Sequence, residues 1–403
     1  MSTVREELIR KPDISIIALV EALIIEAHTS RASDIHIDPT FVSVRIRFRI
    51  DGVLQEVYLF PLEIHSEVIS RIKVLSGLRT DEHQATQDGR FRFETNIPQE
   101  CIDMRVSIVP TYHGENAVMR ILSDKAEQYT LESLGFSVSD QKKIHNAIAR
   151  PNGMILSTGP TGSGKTTTLY TLIRMLNRPD VSILTIEDPI EYSVSNVRQI
   201  QVNPRAGLTF ANGLRSILRQ DPNIIMVGEI RDAETASMAV NTALTGHLLL
   251  STLHTNDSAT TLPRLLDMGV DRYLVATTVQ LAIAQRLVRK ICAECKEGVV
   301  ITPAMAQALT SVSLQKPIRV GETMFHGVGC AECSDTGYAG RISINEVLVA
   351  DDNIREAILR KASASEIRKI AMQNGMTTML EDGYAKVREG VTTVEEILRV
   401  MHE

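Results

Sequence analysis

The residues with the most chemical content are Gly159-Pro160-Thr161-Gly162-Ser163-Gly164-Lys165-Thr166, followed by Thr167. They fit the spacing G-x-x-x-x-G-K-[ST], in which glycines let successive backbone N–H groups turn inward around a phosphate. Lys165 then reaches the β- and γ-phosphates, and the Thr166 hydroxyl is placed to bind Mg²⁺. Such a loop needs a strand before it and a helix after it. Met154-Ile155-Leu156-Ser157 supplies a short apolar run, and 165–177 is helix-prone until Arg178-Pro179 stops it. The helix N-terminus adds partial positive charge where the phosphates would lie. A glycine-rich turn could match by chance, but with these flanks the expected ligand is a nucleoside triphosphate.

A phosphate loop also needs acids to hold metal and position water, and these belong at the carboxyl ends of sheet strands. Ile224-Ile225-Met226-Val227-Gly228-Glu229 is an apolar run closed by an acid, and Glu229 is the expected residue for polarising an attacking water. Gly228 stands where many phosphate-loop proteins carry Asp, which shifts metal coordination toward Thr166 and water. Ile183-Leu184-Thr185-Ile186-Glu187-Asp188-Pro189 ends in the same way. A lone acid there would read as a helix cap or a solvated strand end. Two such ends downstream of a phosphate loop favour a nucleotide role for Glu229 and Glu187, less so for Asp188. His247 precedes the next apolar run and His254 follows it. A neutral histidine can read a γ-phosphate or hold a catalytic acid. Both positions equally suit strand-flanking histidines capped by backbone groups, and spacing leaves the two readings open.

Cys292-Ala293-Glu294-Cys295 and Cys330-Ala331-Glu332-Cys333 are two C-x-x-C knuckles with 34 residues between them. Four thiolates suit tetrahedral Zn²⁺, and a site closed by four protein ligands has a structural role. Redox dithiols are the alternative, although one pair would serve for that. The basic flank Arg286, Arg289, Lys290 and Lys296 would offset the negative charge of such a centre. A zinc ribbon can also contact nucleic acid, so the cysteines alone name no partner. Cys101, on a strand-like run, reads as a small buried apolar residue.

The elements that must hold these groups are those of an ordinary water-soluble chain. At 403 residues the length suits roughly two or three domains. No stretch approaches the ~18 apolar residues of a membrane span, and 1–10 is polar with no secretory signal, so a cytoplasmic location is expected. A net charge of −6 argues against a general polyanion binder, and 4% aromatic content with no Trp argues against single-strand stacking. A helix is expected over 13–30 and strands over 34–38 and 42–50. In the second strand Val42, Val44, Ile46, Phe48 and Ile50 face one way. Arg45, Arg47 and Arg49 face the other, a solvated face in the simplest reading. Asp51-Gly52 marks a hairpin turn. A helix over 62–76 and strands at 90–94, 102–108 and 116–122 complete an α+β module over 1–123. The charged segment 124–140 reads as a linker. From 141, strands at 154–157, 182–186, 224–227 and 248–251 alternate with helices at 165–177, 211–218, 233–244 and 258–266. That is the pattern of a parallel sheet with crossovers. After 272 the chain reads as helical, apart from the cysteine-bearing stretch 290–335.

The order of the glycine loop, Thr185-Ile186-Glu187-Asp188-Pro189-Ile190-Glu191-Tyr192, Gly228-Glu229-Ile230-Arg231-Asp232, Gly246-His247 through His254-Thr255-Asn256, and Gln285-Arg286-Leu287 resembles the secretion ATPases. These are the hexameric motors of type II secretion and type IV pilus assembly. Ala32-Ser33-Asp34-Ile35-His36-Ile37 and Arg47-Phe48-Arg49-Ile50-Asp51-Gly52 resemble that family's second N-terminal domain. The resemblance runs from about residue 14 to the C-terminus. It implies an α/β fold: a RecA-like P-loop NTPase core at 141–403, an α+β N-terminal domain and a small zinc-knuckle subdomain at 290–335. It further implies Mg²⁺-dependent ATP hydrolysis by a homo-hexamer, held at the cytoplasmic face of the inner membrane by platform and assembly proteins, with no nucleic-acid partner. The four-cysteine insertion is similar to the secretion and pilus-extension branch. The far N-terminal domain by which many such ATPases dock has no counterpart, which is expected of a partial sequence or of different recruitment. Where the family typically has paired arginines before Pro-Gln-Asp-Gly-Arg, this chain reads His83-Gln84-Ala85-Thr86-Gln87-Asp88-Gly89-Arg90. Arg90, or a strand arginine, is therefore the expected donor of positive charge to the nucleotide, within its own chain or a neighbour's. A nucleic-acid translocase and a non-hydrolysing nucleotide switch are the rival readings.

Overall fold

Alternation of apolar residues and arginines makes Ser43–Ile50 a strand with one buried face, and the first third of the chain is built on it. The computed structural model describes residues 3–10, 13–94, 101–122, 129–304 and 318–402, and the chain divides into two units, 1–127 and 128–403. In the first, helices α1 (Val4–Ile9) and α2 (Ile16–Thr29) precede strands β1 (Ala32–Pro39), β2 (Ser43–Ile50) and β3 (Val53–Pro61). Helix α3 (His65–Leu75) and strands β4 (Gln87–Glu94), β5 (Cys101–Thr111) and β6 (Gly114–Leu122) follow. The sheet order is β3-β2-β1-β6-β5-β4. Val44, Ile46 and Phe48 bury against Leu19, Leu23, Ile69 and Ile72 of the two longer helices. Asp51 (φ 48°) and Gly52 (φ 87°) both turn left-handed, as the tight hairpin between β2 and β3 requires.

The other face of that sheet is charged rather than merely solvated. Arg45 pairs with Glu56 (3.1 Å), Arg47 with Asp38 (2.6 Å) and Arg49 with Asp34 (3.6 Å). The register sets Arg49, Asp34, Arg120, Arg105 and Arg90 in one row across five strands. Arg90 and Arg105 stand directly opposite each other on β4 and β5.

The second unit starts earlier than its motifs suggest. Residues 124–128 of the anticipated linker lie outside the described residues, but the remainder of 124–140 is part of the core. Leu131 and Phe136 are buried among Ile144, Tyr170 and Ile173. The Leu134 carbonyl accepts the Ser343 N–H at 3.1 Å. The Ser137 hydroxyl caps helix α4 (Val138–Ile148). Few apolar residues in a charged segment were enough to anchor it. Phe136→Ala is expected to cost about 3–5 kcal/mol in denaturant unfolding. A cost near zero would restore the linker.

Strand β7 (Gly153–Thr158), helix α5 (Lys165–Leu176), strands β8 (Ile183–Glu187) and β9 (Val197–Gln201), and helix α6 (Phe210–Ile217) follow. Next come β10 (Ile224–Val227), α7 (Ala233–Leu244), β11 (Leu248–Leu253), and helices α8 (Ser258–Asp267) and α9 (Arg272–Thr278). β7, β11, β10, β8 and β9 are parallel neighbours in a seven-stranded sheet, in the order β15-β12-β7-β11-β10-β8-β9. Continuous apolar runs suit strands covered on both faces.

The stretch after 272 is a correction. Beyond α9 it forms the two longest strands of that sheet, β12 (Val279–Ile291) and β15 (Tyr338–Val349), paired antiparallel, with β12 parallel to β7. Leu281, Ala282, Ile283 and Ala284 are all buried, so neither face alternates. An alanine- and leucine-rich run with no break after α9 therefore reads as helix. Between these strands lie the short hairpin β13 (Lys296–Val300) and β14 (Thr323–Gly327) and the cysteines. Helices α10 (Asp352–Leu359), α11 (Ala364–Gln373), α12 (Met379–Arg388) and α13 (Val394–His402) close the chain.

Candidate nucleotide site and cysteine cluster

β7 ends at the carboxyl edge of the parallel strands and delivers the glycine loop to the start of α5. Gly164, at φ 90°, caps that helix in a conformation an L side chain resists. The loop packs on β12 so closely that a Cβ on Gly159 would stand 2.6 Å from the Gln285 carbonyl oxygen. Thr161 and Gly162 are exposed, as is Thr166, which presents its hydroxyl from the first turn of α5; Thr167 is half-buried. Ser163 and Thr168 carry buried hydroxyls with no hydrogen-bond partner among the described residues. A turned-in loop with an unpaired hydroxyl suits phosphate oxygens.

Lys165 is buried, and its Nζ donates to the carbonyls of Gly159 (2.9 Å) and Pro160 (2.8 Å). Burial lowers its pKa to about 8; the Glu229 carboxylate opposes this and the Arg286 guanidinium adds to it. Glu229 follows β10 at the same edge. Its Oε2 meets Arg231 Nε at 2.6 Å and His254 Nε2 at 3.1 Å. The loop carrying His254 is tied to the phosphate loop. The Thr158 hydroxyl donates to the Leu253 carbonyl (2.9 Å) and receives the Thr255 N–H (2.9 Å). Arg286 reaches from β12 to the carbonyls of Asn256 (3.1 Å) and Gln285 (3.2 Å).

Glu187 closes β8 and is buried. The Tyr170 hydroxyl donates to one of its oxygens; Thr185 Oγ1 (2.5 Å) and Gln199 Nε2 (3.2 Å) donate to the other. Burial raises its pKa, against the pull of these three hydrogen bonds.

The two histidines separate. β11 is parallel to β7, so His254 leaves it at the carboxyl edge while His247 enters at the amino edge. Six strand residues at about 3.3 Å each put roughly 20 Å between them. His247 Nδ1 lies 3.2 Å from the Thr242 carbonyl, and its own carbonyl accepts the Gly153 N–H at 3.1 Å. His247 is thus a backbone-held strand flank, away from the phosphate loop of its own chain, and only His254 joins the acid. Arg90 lies in the other unit, exposed on β4. Tyr170 is a site residue that the sequence left unmarked, and Arg231 stood in a motif there without a role of its own. Arg286, assigned there to the cysteines, stands beside the phosphate loop instead.

The four cysteines converge. Their sulfurs all lie within 4.8 Å of one another, with Cys292–Cys330 and Cys295–Cys333 at 3.8 Å and Cys330–Cys333 at 3.6 Å. A tetrahedron with Zn–S bonds of about 2.3 Å has edges of about 3.8 Å, so the donor set fits that ion. Cys333 is the cysteine of the cluster whose pKa is lowered. Burial opposes ionisation, but the N–H groups of Cys330 (3.2 Å) and Gly337 (3.3 Å) donate to its sulfur, and its pKa falls to about 6. Burial pushes Cys295 up to about 12. The basic flank is otherwise engaged: Arg289 pairs with Glu396 at 2.7 Å and stacks on Tyr338, and Lys296 lies over Phe325.

This is the architecture of a phosphate-loop ATPase core with a four-cysteine insertion and a separate α+β unit. Over residues 10–399 the chain matches the family described as type II/IV secretion system protein, and it belongs to that family. It is 45% identical over 388 residues to the type II secretion system protein E of Xanthomonas campestris pv. campestris, covering 96% of this chain and 68% of that one. It is also 45% identical over 379 residues to the type IV pilus assembly ATPase PilB of Thermus thermophilus, covering 94% of this chain and 42% of that protein. Among solved structures, the pilus retraction motor PilT with bound ADP superposes with a TM-score of 0.62 at 26% identity, covering 94% and 96% of the two chains. The Legionella pneumophila ATPase DotB shares the fold, with a TM-score of 0.70 at 23% identity and 98% of each chain covered. No helix among the described residues is long and apolar enough to cross a membrane.

Proposed function

We propose that this chain is the ATP-hydrolysing part of a motor that assembles pilin-like subunits in type IV pilus biogenesis or type II secretion. One observation carries the reading: Lys165 in the phosphate loop and the Glu229–His254 pair share one sheet edge, tied together through Thr158 and Thr255. The loop N–H groups and Lys165 bind the phosphates. Glu229 orients water for in-line attack, and His254 fixes the carboxylate. Thr166 would hold Mg²⁺, which supplies charge neutralisation on the β- and γ-oxygens when bound. Cys292, Cys295, Cys330 and Cys333 would hold Zn²⁺ in a closed, structural site. The partners are further copies of the chain, as a hexamer, and inner-membrane platform and assembly proteins that keep it at the cytoplasmic face. Arg90, exposed on β4, is the first arginine to test as a donor of positive charge to a nucleotide.

The direct test is phosphate release from ATP with Mg²⁺, repeated after chelation. Release that depends on Mg²⁺ supports the proposal, and tight ATP binding without release favours a nucleotide switch. Glu229→Gln is expected to lower kcat by about 10²-fold or more with ATP binding retained. Unchanged turnover would remove Glu229 from the chemistry.

A further inference from the structure

Tyr170 is fully buried, yet it carries a hydroxyl, which donates to one acid, Glu187, and accepts from Gln199 Nε2 at 3.4 Å. It lies on α5, the helix whose first residue is Lys165. Its partner Glu187 ends β8, and the register of β8 with β10 sets Ile186 beside Val227, so Glu187 lies next to Gly228 and one residue from Glu229. Among the described residues no cation forms an ion pair with Glu187. A buried carboxylate without a cation depends on neutral donors, and here there are three: Tyr170, Thr185 and Gln199. Thr185 is part of β8 itself. Gln199 also binds the chain that follows β8, donating to the Tyr192 carbonyl (3.1 Å) and accepting the Val194 N–H (2.8 Å). Tyr170 is the one donor that arrives from the phosphate-loop helix. Its ring is held edge-on by Tyr192 at 4.5 Å between centroids.

We propose that Tyr170 is a positioning residue: it fixes the Glu187 carboxylate relative to the phosphate-loop helix and so sets the acidic edge of the site against the bound nucleotide. This rests on the reading of the site as one that hydrolyses ATP. The Tyr170 hydroxyl is thus a polar link from α5 to the acid that ends β8, alongside the apolar packing of α5 on Ile183.

A double-mutant cycle on the full chain tests this, with Tyr170→Phe, Glu187→Gln and both together, each read for kcat, KM for ATP and unfolding midpoint. Tyr170→Phe keeps the ring and removes only the hydroxyl. It is expected to lower kcat about 10-fold or more with KM changed less than about 3-fold. In the Glu187→Gln background the same change should cost little further, because the hydroxyl has lost its charged partner. Losses that multiply independently in both kcat and midpoint would overturn the proposal, since the hydroxyl would then act elsewhere. So would a Tyr170→Phe protein with wild-type kcat. A wild type that hydrolyses no ATP overturns the reading of the site, and the midpoint cycle then decides alone whether Tyr170 holds Glu187.

Discussion

Replacing Lys165 with alanine is expected to lower kcat/KM for ATP on the order of 10³-fold or more. The lysine is the buried cation of the loop, and its Nζ is already held at the Gly159 and Pro160 carbonyls. In that setting its charge is little screened, so phosphate recognition and stabilisation of the transferring group both depend on it. Burial lowers its pKa to about 8 in the free protein. Below that pH the ammonium is present; above it the proton is lost before nucleotide arrives. The pH profile of kcat/KM should therefore fall on the alkaline side from about pH 8, with kcat less affected because bound phosphate holds the proton in place. Steady-state turnover from pH 6.5 to 9.5 checks both statements. A Lys165→Ala protein with near wild-type kcat/KM would remove the loop from the chemistry.

Stripping metal from the cysteine cluster is expected to lower the unfolding midpoint on the order of 10 °C or more, with about one zinc per chain in the intact protein. The cluster sits where several elements meet. Cys292 N–H binds the Gly337 carbonyl (3.0 Å) and Val328 N–H binds the Cys295 carbonyl (3.0 Å), so each knuckle is pinned to the other half of the insertion. Next to it, Ile291 N–H binds the Val391 carbonyl (2.9 Å), and Tyr338 reaches Thr393 (2.9 Å). The buried Glu396 is held down to about 2, since hydrogen bonds from Arg399 and Arg289 outweigh the effect of burial. Without a cation, four convergent sulfurs either repel as thiolates or stay protonated, and the ends of β12 and β15 and helix α13 lose a common anchor. Metal analysis and thermal unfolding of wild type, chelated protein and a Cys295→Ser/Cys330→Ser variant are the check. Equal midpoints with no bound metal would point to redox dithiols.

What the sequence disclosed and what it withheld divide along physical lines. The phosphate loop, the acid after β10 and the four cysteines declare themselves, because their chemistry demands fixed residue types at short spacing. The parallel strands β7, β8, β10 and β11 declare themselves too, as apolar runs bounded by polar turns. Strands β12 and β15 do not: their partners lie across long sequence separations, and burial on both faces erases alternation. The segment 129–137 misleads for the opposite reason, since two side chains, Leu131 and Phe136, anchor an otherwise polar stretch. His247 and His254 are equivalent by spacing, and only the parallel direction of β11 tells them apart. Tyr170 carries no signal at all, for a tyrosine among apolar residues on a helix reads as core until the acid under its hydroxyl is located.

The most direct test of the motor reading is ATP turnover measured alongside mass in solution, over a range of protein concentrations. The account predicts Mg²⁺-dependent phosphate release that rises with a large homo-oligomer, falls with its dissociation, and is lost in Lys165→Ala. Turnover by the monomer at the same rate per chain, or turnover that survives in Lys165→Ala, would contradict it.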